Sequence, residues 1–122
     1  MQSSKKTILI YGLAPMELLA LSAMAEHAGV RCKPVSDVQT TLTISQLLSD
    51  NDYPPAPPFP LQGKFALLDG FTGNEDEGAA LINYVAGGVI KAVHTKHNTN
   101  WRFSDLCAEI HAEHTYMTNN PN

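Results

Sequence analysis

Two hydrophobic patterns alternate along this chain. Residues 7–11, 64–69 and 89–95 are short runs rich in β-branched and apolar side chains, with little polar alternation. Such runs suit strands buried on both faces, as in a parallel sheet. Residues 30–35 alternate instead and contain Pro34. Proline cannot donate to a central ladder, so this segment predicts an edge strand.

Between the strands the spacing turns helical. Pro15 and Glu17 suit a first helical turn, Leu18, Leu19, Leu21, Met24 and Ala25 give a broad apolar face, and Gly29 stops it. A short helix is expected over Thr40 to Leu48, where Thr43 could cap it with Gln46 as reciprocal partner. A third follows Asn74, whose side chain would cap it, with Glu75, Asp76 and Glu77 against the positive end of its dipole and Gly87 and Gly88 past its last turn. The last runs from about Trp101 to His114, with Phe103, Leu106, Cys107 and Ile110 on one face.

Strands that alternate with helices predict one α/β domain over residues 1–122, in three layers. Its four-stranded sheet would be mainly parallel, in the order 2-1-3-4, with helices on both faces. The ends, about 1–4 and 117–122, are polar and expected to be disordered. No repeat at solenoid periods is evident. Residues 50–62 hold five prolines, at 54, 55, 57, 58 and 60. They exclude a helix and predict a stiff extended arm, on which Tyr53 and Phe59 are candidate partner contacts.

In parallel sheets ligands gather at the carboxyl ends of the strands. Four segments are expected to converge there: 11–14, Ser36 with Asp37, 69–72, and 95–100. The candidate ligand-binding residues are Tyr11, Asp69, Phe71, Thr95, Asn98, Asn100 and Trp101. Asn98 can bridge backbone groups of its turn, and Trp101 can lay its ring on the core while its indole N–H finds an acceptor.

Composition narrows the function. A net charge of −4, with few and scattered basic residues, argues against nucleic acid or an anionic membrane as the main ligand. The charged fraction, 16%, is low enough to suggest that a partner covers part of the surface. The N-terminal residues lack a signal-peptide pattern, and no apolar run approaches the ~20 residues of a membrane span, so the cytoplasm is the expected compartment. Cys32 and Cys107 make no C-x-x-C pair and are expected to stay free.

His94 with His97, and His111 with His114, have a ligand-like spacing of three, but the first pair straddles a strand end and the second lies turns away along a helix. No metal is expected, and without a glycine-rich phosphate loop no cofactor is either. Asp69 sits where receiver domains carry their phosphoacceptor, but the acidic pair such domains need after the first strand is replaced by Tyr11, Gly12, Leu13 and Ala14. Amidotransferase-like proteins need a nucleophile cysteine at a strand-to-helix elbow, and neither cysteine lies at one.

Thr95, Asn98, Trp101, Leu106, Glu109, Glu113 and His114, with 6–11, 33–35 and 67–71, resemble a family of short bacterial and archaeal α/β proteins known only as a domain of unknown function. The resemblance implies one α/β domain in which Asn98, Trp101, Glu109 and Glu113 act together. It supplies no activity, and the prolines at 54–60 depart from the pattern. The leading expectation is a non-enzymatic module that binds a protein or itself, as a homodimer. The alternative is a small-molecule site or weak enzyme near Asp69, Thr95 and Asn98.

Overall fold

A computed structural model describes residues 6–119, with side chains to residue 115. The elements are β1 (Thr7–Tyr11), α1 (Pro15–His27), β2 (Arg31–Pro34), α2 (Ile44–Leu48), β3 (Lys64–Asp69), α3 (Glu75–Val85), β4 (Val89–Val93) and α4 (Phe103–Asn119). Residues 117–119 thus continue α4, while 1–4 and 120–122 lie outside the described residues. No helix among the described residues is long and apolar enough to cross a membrane.

The strand order is β2-β1-β3-β4, with β2 on the edge that Pro34 requires. The strand directions differ from expectation. β1–β2 and β3–β4 are parallel, but β1 and β3 run antiparallel, with Thr7 opposite Asp69 and Tyr11 opposite Phe65. The sheet is mixed. Its cause is the proline arm: residues 49–63 carry the chain back along the sheet, so β3 starts beside the end of β1.

Alternate strand positions feed two separate cores, as a period of two demands. Ile8, Ile10, Ala66 and Leu68 pack with Leu21 and Ala25 of α1 and Ile82 of α3. Leu9, Tyr11, Phe65 and Leu67 pack with Ile44 and Leu47 of α2 and with Phe103, Leu106 and Cys107 of α4. The central strands are buried on both sides, which is why their sequences carry no polar alternation.

The two halves of the chain repeat one βαβα unit about a pseudo-two-fold axis. Leu9 faces Leu67 at the centre of the antiparallel pair, and Thr43 faces Arg102 in an isolated antiparallel bridge. Around that bridge the hydrogen bonds come in matched pairs. Ile44 N–H donates to Trp101 O and Phe103 N–H to Leu42 O, both at 2.9 Å. Ser45 N–H donates to Thr99 O at 2.9 Å and Ser104 N–H to Thr40 O at 2.8 Å. This repeat is longer than a solenoid unit and is written in backbone geometry rather than residue identity.

Local chemistry follows the capping rules in part. Thr43 Oγ1 accepts from Gln46 N–H at 3.1 Å, and Gln46 Oε1 accepts from Thr43 N–H at 2.9 Å. Asn74 holds the N-cap position of α3 but makes no side-chain cap; Glu75 Oε2 instead accepts from Gly73 N–H at 3.1 Å.

Candidate functional site

The antiparallel β1–β3 pairing divides the expected site. Tyr11 and the Ser36–Asp37 pair lie at one end of the sheet, Asp69 and the 95–100 turn at the other. Tyr11 and Asp69 therefore share no site. Phe71 is only 3% exposed and belongs to the core, with the Lys6 ammonium 5.8 Å from its ring centre.

At the Asp69 end, parallel pairing of β3 with β4 brings His94, one residue past β4, beside Asp69. His94 Nδ1 lies 2.7 Å from Asp69 Oδ1, and His94 Nε2 lies 2.9 Å from Thr99 Oγ1. The Asp69 carboxylate accepts from Nδ1–H, which leaves Nε2 facing the Thr99 hydroxyl. The three groups form a hydrogen-bonded chain. All three are partly exposed.

The turn itself is held by Asn98, 8% exposed. Its Oδ1 accepts from Thr95 N–H at 2.9 Å and its Nδ2 donates to Val93 O at 3.0 Å. Thr95 Oγ1 accepts from Asn98 N–H at 3.3 Å. Both amide atoms of Asn98 are thus spent on the backbone, so the pair shapes the turn rather than facing a ligand. Asn100 and Trp101 end the turn exposed, and Trp101 N–H closes it on Asn98 O at 3.0 Å. Thr99 and the bridging position of His94 escape sequence reasoning. Their only sequence trace is a histidine directly after a strand and five residues before a threonine.

At the opposite end, Tyr11 anchors the proline arm. Its hydroxyl donates to the Asp37 carboxylate and accepts from Leu61 N–H at 2.9 Å. Burial, then the hydrogen bond to Asp37, raises the Tyr11 pKa above the ordinary phenol value. Tyr53 is half-buried and lines a cleft of about 270 Å³ between β2, α2 and the start of the arm. Phe59 is 52% exposed and borders a second cleft, about 320 Å³, with Phe65, Cys107 and His111.

Both cysteines are free. Burial pushes the Cys107 thiol up to about 12 and raises Cys32 as well, so neither is poised as a nucleophile. Among the described residues no group of three or more His, Cys, Asp or Glu side chains could hold a metal ion. Glu109 and Glu113 are exposed on α4.

A third feature lies on α1. Its inward residues Leu21 and Ala25 are fully buried, yet Met16 and Leu19 point outward at 83% and 72% exposure. Ala20 and Ala23 are exposed on the same stripe. On neighbouring α3, Tyr84 is 82% exposed. The topology places Tyr84 at the same end of the helix pair as Met16.

No curated protein and no solved structure matches the chain. Residues 81–117, from the middle of α3 through the 95–101 turn and along α4, match the model of a family described as a domain of unknown function (DUF3783).

Proposed function

We propose that this chain is a protein-binding module that pairs with a second copy of itself through the outer face of α1. The observation that carries the reading is the exposure of Met16 and Leu19 on a helix whose opposite face is already buried in the core. A helix apolar all round belongs between two layers. From Leu18 to Ala25 the helix carries no charge, and exposed Ala20 and Ala23 between larger neighbours let a second helix approach closely.

The size of the face sets the strength. Thirteen residues make a helix about 20 Å long. With α3 alongside, at an interaxial distance of ~10 Å, the flat face offers roughly half of the ~800 Å² per partner of a standard interface. Pairing is therefore weak and reversible. Sedimentation velocity from low to high micromolar concentration should show the mass rise toward two chains. Leu19→Glu should hold it at one chain without lowering the melting temperature. Wild-type protein that stays at the mass of one chain at the highest concentration overturns the proposal.

The two core clusters support three layers, and two free thiols support a reducing compartment, the cytoplasm.

A further inference from the structure

The pseudo-two-fold axis relates two turns of the same build, one covered and one bare. In the first half, Ser36 N–H donates to Gln39 Oε1 at 3.0 Å, as Thr95 N–H does to Asn98 Oδ1 in the second. The first turn lies beneath the proline arm. Ala56 N–H donates to Val38 O at 3.1 Å, Phe59 N–H to Asp37 O at 2.9 Å, and Thr40 Oγ1 to Phe59 O at 2.7 Å. Thr40 is fully buried as a result.

The arm's sequence explains its fit. From Pro54 to Pro60 only Ala56 and Phe59 possess a backbone N–H, and both are used. Polyproline II has three residues per turn, so two N–H groups three apart point to the same side. The arm is a proline-ruled edge that offers two donors to two carbonyls of a turn.

The counterparts of Asp37, Val38 and Thr40 are Lys96, His97 and Thr99. Lys96 O and His97 O accept from no donor among the described residues. No described segment returns over this turn, because the chain after α2 doubles back as the arm whereas α4 continues to Asn119. Thr99 stays partly exposed where Thr40 is buried, and Trp101, 40% exposed, stands at the end of the bare turn.

We infer that the 95–99 turn binds an extended, proline-rich segment of a partner protein, laid on it as residues 56–59 lie on the first turn. Two partner N–H groups three residues apart donate to Lys96 O and His97 O. The Trp101 indole gives proline rings an apolar face, as in other polyproline-binding grooves. The side chains of Lys96 and His97, exposed where the first turn has Asp37 and Val38, favour an acidic residue beside the prolines. This site is independent of the α1 face.

The test uses the full chain and a labelled synthetic peptide with the sequence of residues 52–62, which carries both the proline spacing and Asp52. Titration should shift the amide resonances of residues 95–101. Methylating the two peptide nitrogens that correspond to Ala56 and Phe59 should abolish binding. Trp101→Ala, checked by its melting curve, should weaken binding roughly tenfold, the equivalent of about 1.4 kcal/mol. Leu19→Glu should bind as wild type does, which separates this site from self-pairing. Any of three results overturns the inference: no shift at saturating peptide, equal binding of the methylated peptide, or shifts confined to 36–40 and 54–62, which would mean that the peptide only displaces the chain's own arm.

Discussion

Asn98→Ala removes the side chain that holds the turn after β4, and its cost can be worked from the geometry. The amide makes two hydrogen bonds, at 2.9 Å to Thr95 N–H and 3.0 Å to Val93 O, at a position 8% exposed. A typical internal hydrogen bond contributes about 1 kcal/mol net, and an unsatisfied buried partner adds a desolvation cost of ~1–3 kcal/mol. Thr95 and Val93 are both exposed, so each freed group can turn partly to water, and the two lost bonds at about 1 kcal/mol each set the floor. The expected loss is about 2–3 kcal/mol. For a domain of 122 residues this lowers the melting temperature by about 8–12 °C. Gln39→Ala is the internal control. It removes the matching bond to Ser36 N–H, which is exposed, so it should cost under ~1 kcal/mol. Asn98→Asp keeps the acceptor but sets a carboxylate oxygen against Val93 O, and should be no better than alanine. Urea unfolding of the three variants checks the series. If Asn98→Ala unfolds within ~0.5 kcal/mol of wild type, the side chain is not what shapes the turn, and a ligand-facing role for Asn98 becomes the better reading.

Two further outcomes follow from burial and backbone conformation. Cys107 titrates near 12 when folded and near 9 when unfolded, so the native state holds its proton more tightly. The stability from that protonated thiol is complete below pH ~9 and is lost as pH rises toward 12, by at most ~1.4 kcal/mol per pH unit. Cys107→Ala should flatten that fall in denaturant titrations, and an equal slope in the variant would show that other groups cause it. Gly12 has φ +93°, and a Cβ there would lie 2.4 Å from Gly63 O. Gly12→Ala should cost at least ~3 kcal/mol, since left-handed strain and a backbone clash add. A soluble variant with a wild-type melting temperature would refute that.

Pairing of β1 with β3 is where local reading stopped. A strand buried on both faces has the same apolar run in either direction, so periodicity cannot encode polarity. Direction depends on where the preceding segment delivers the chain, and here an arm tied down by Tyr11, Thr40 and the carbonyls of Asp37 and Val38 delivers Lys64 beside the end of β1. The same contacts decided the site. His94 reads as a lone histidine until the β3–β4 register sets Asp69 against one ring nitrogen and the turn sets Thr99 against the other.

By itself the sequence determined what depends on neighbours along the chain: the eight elements, the Thr43–Gln46 cap, the edge position of the Pro34 strand and the apolar runs of the central strands. Each is fixed by side-chain volume, periodicity or a missing N–H within a few residues. Only the tertiary structure decided the antiparallel centre, the pseudo-two-fold repeat and the pairing of one covered turn with one bare turn. Those rest on hydrogen bonds between backbone groups far apart in the chain, which any residue with an N–H and a carbonyl can make.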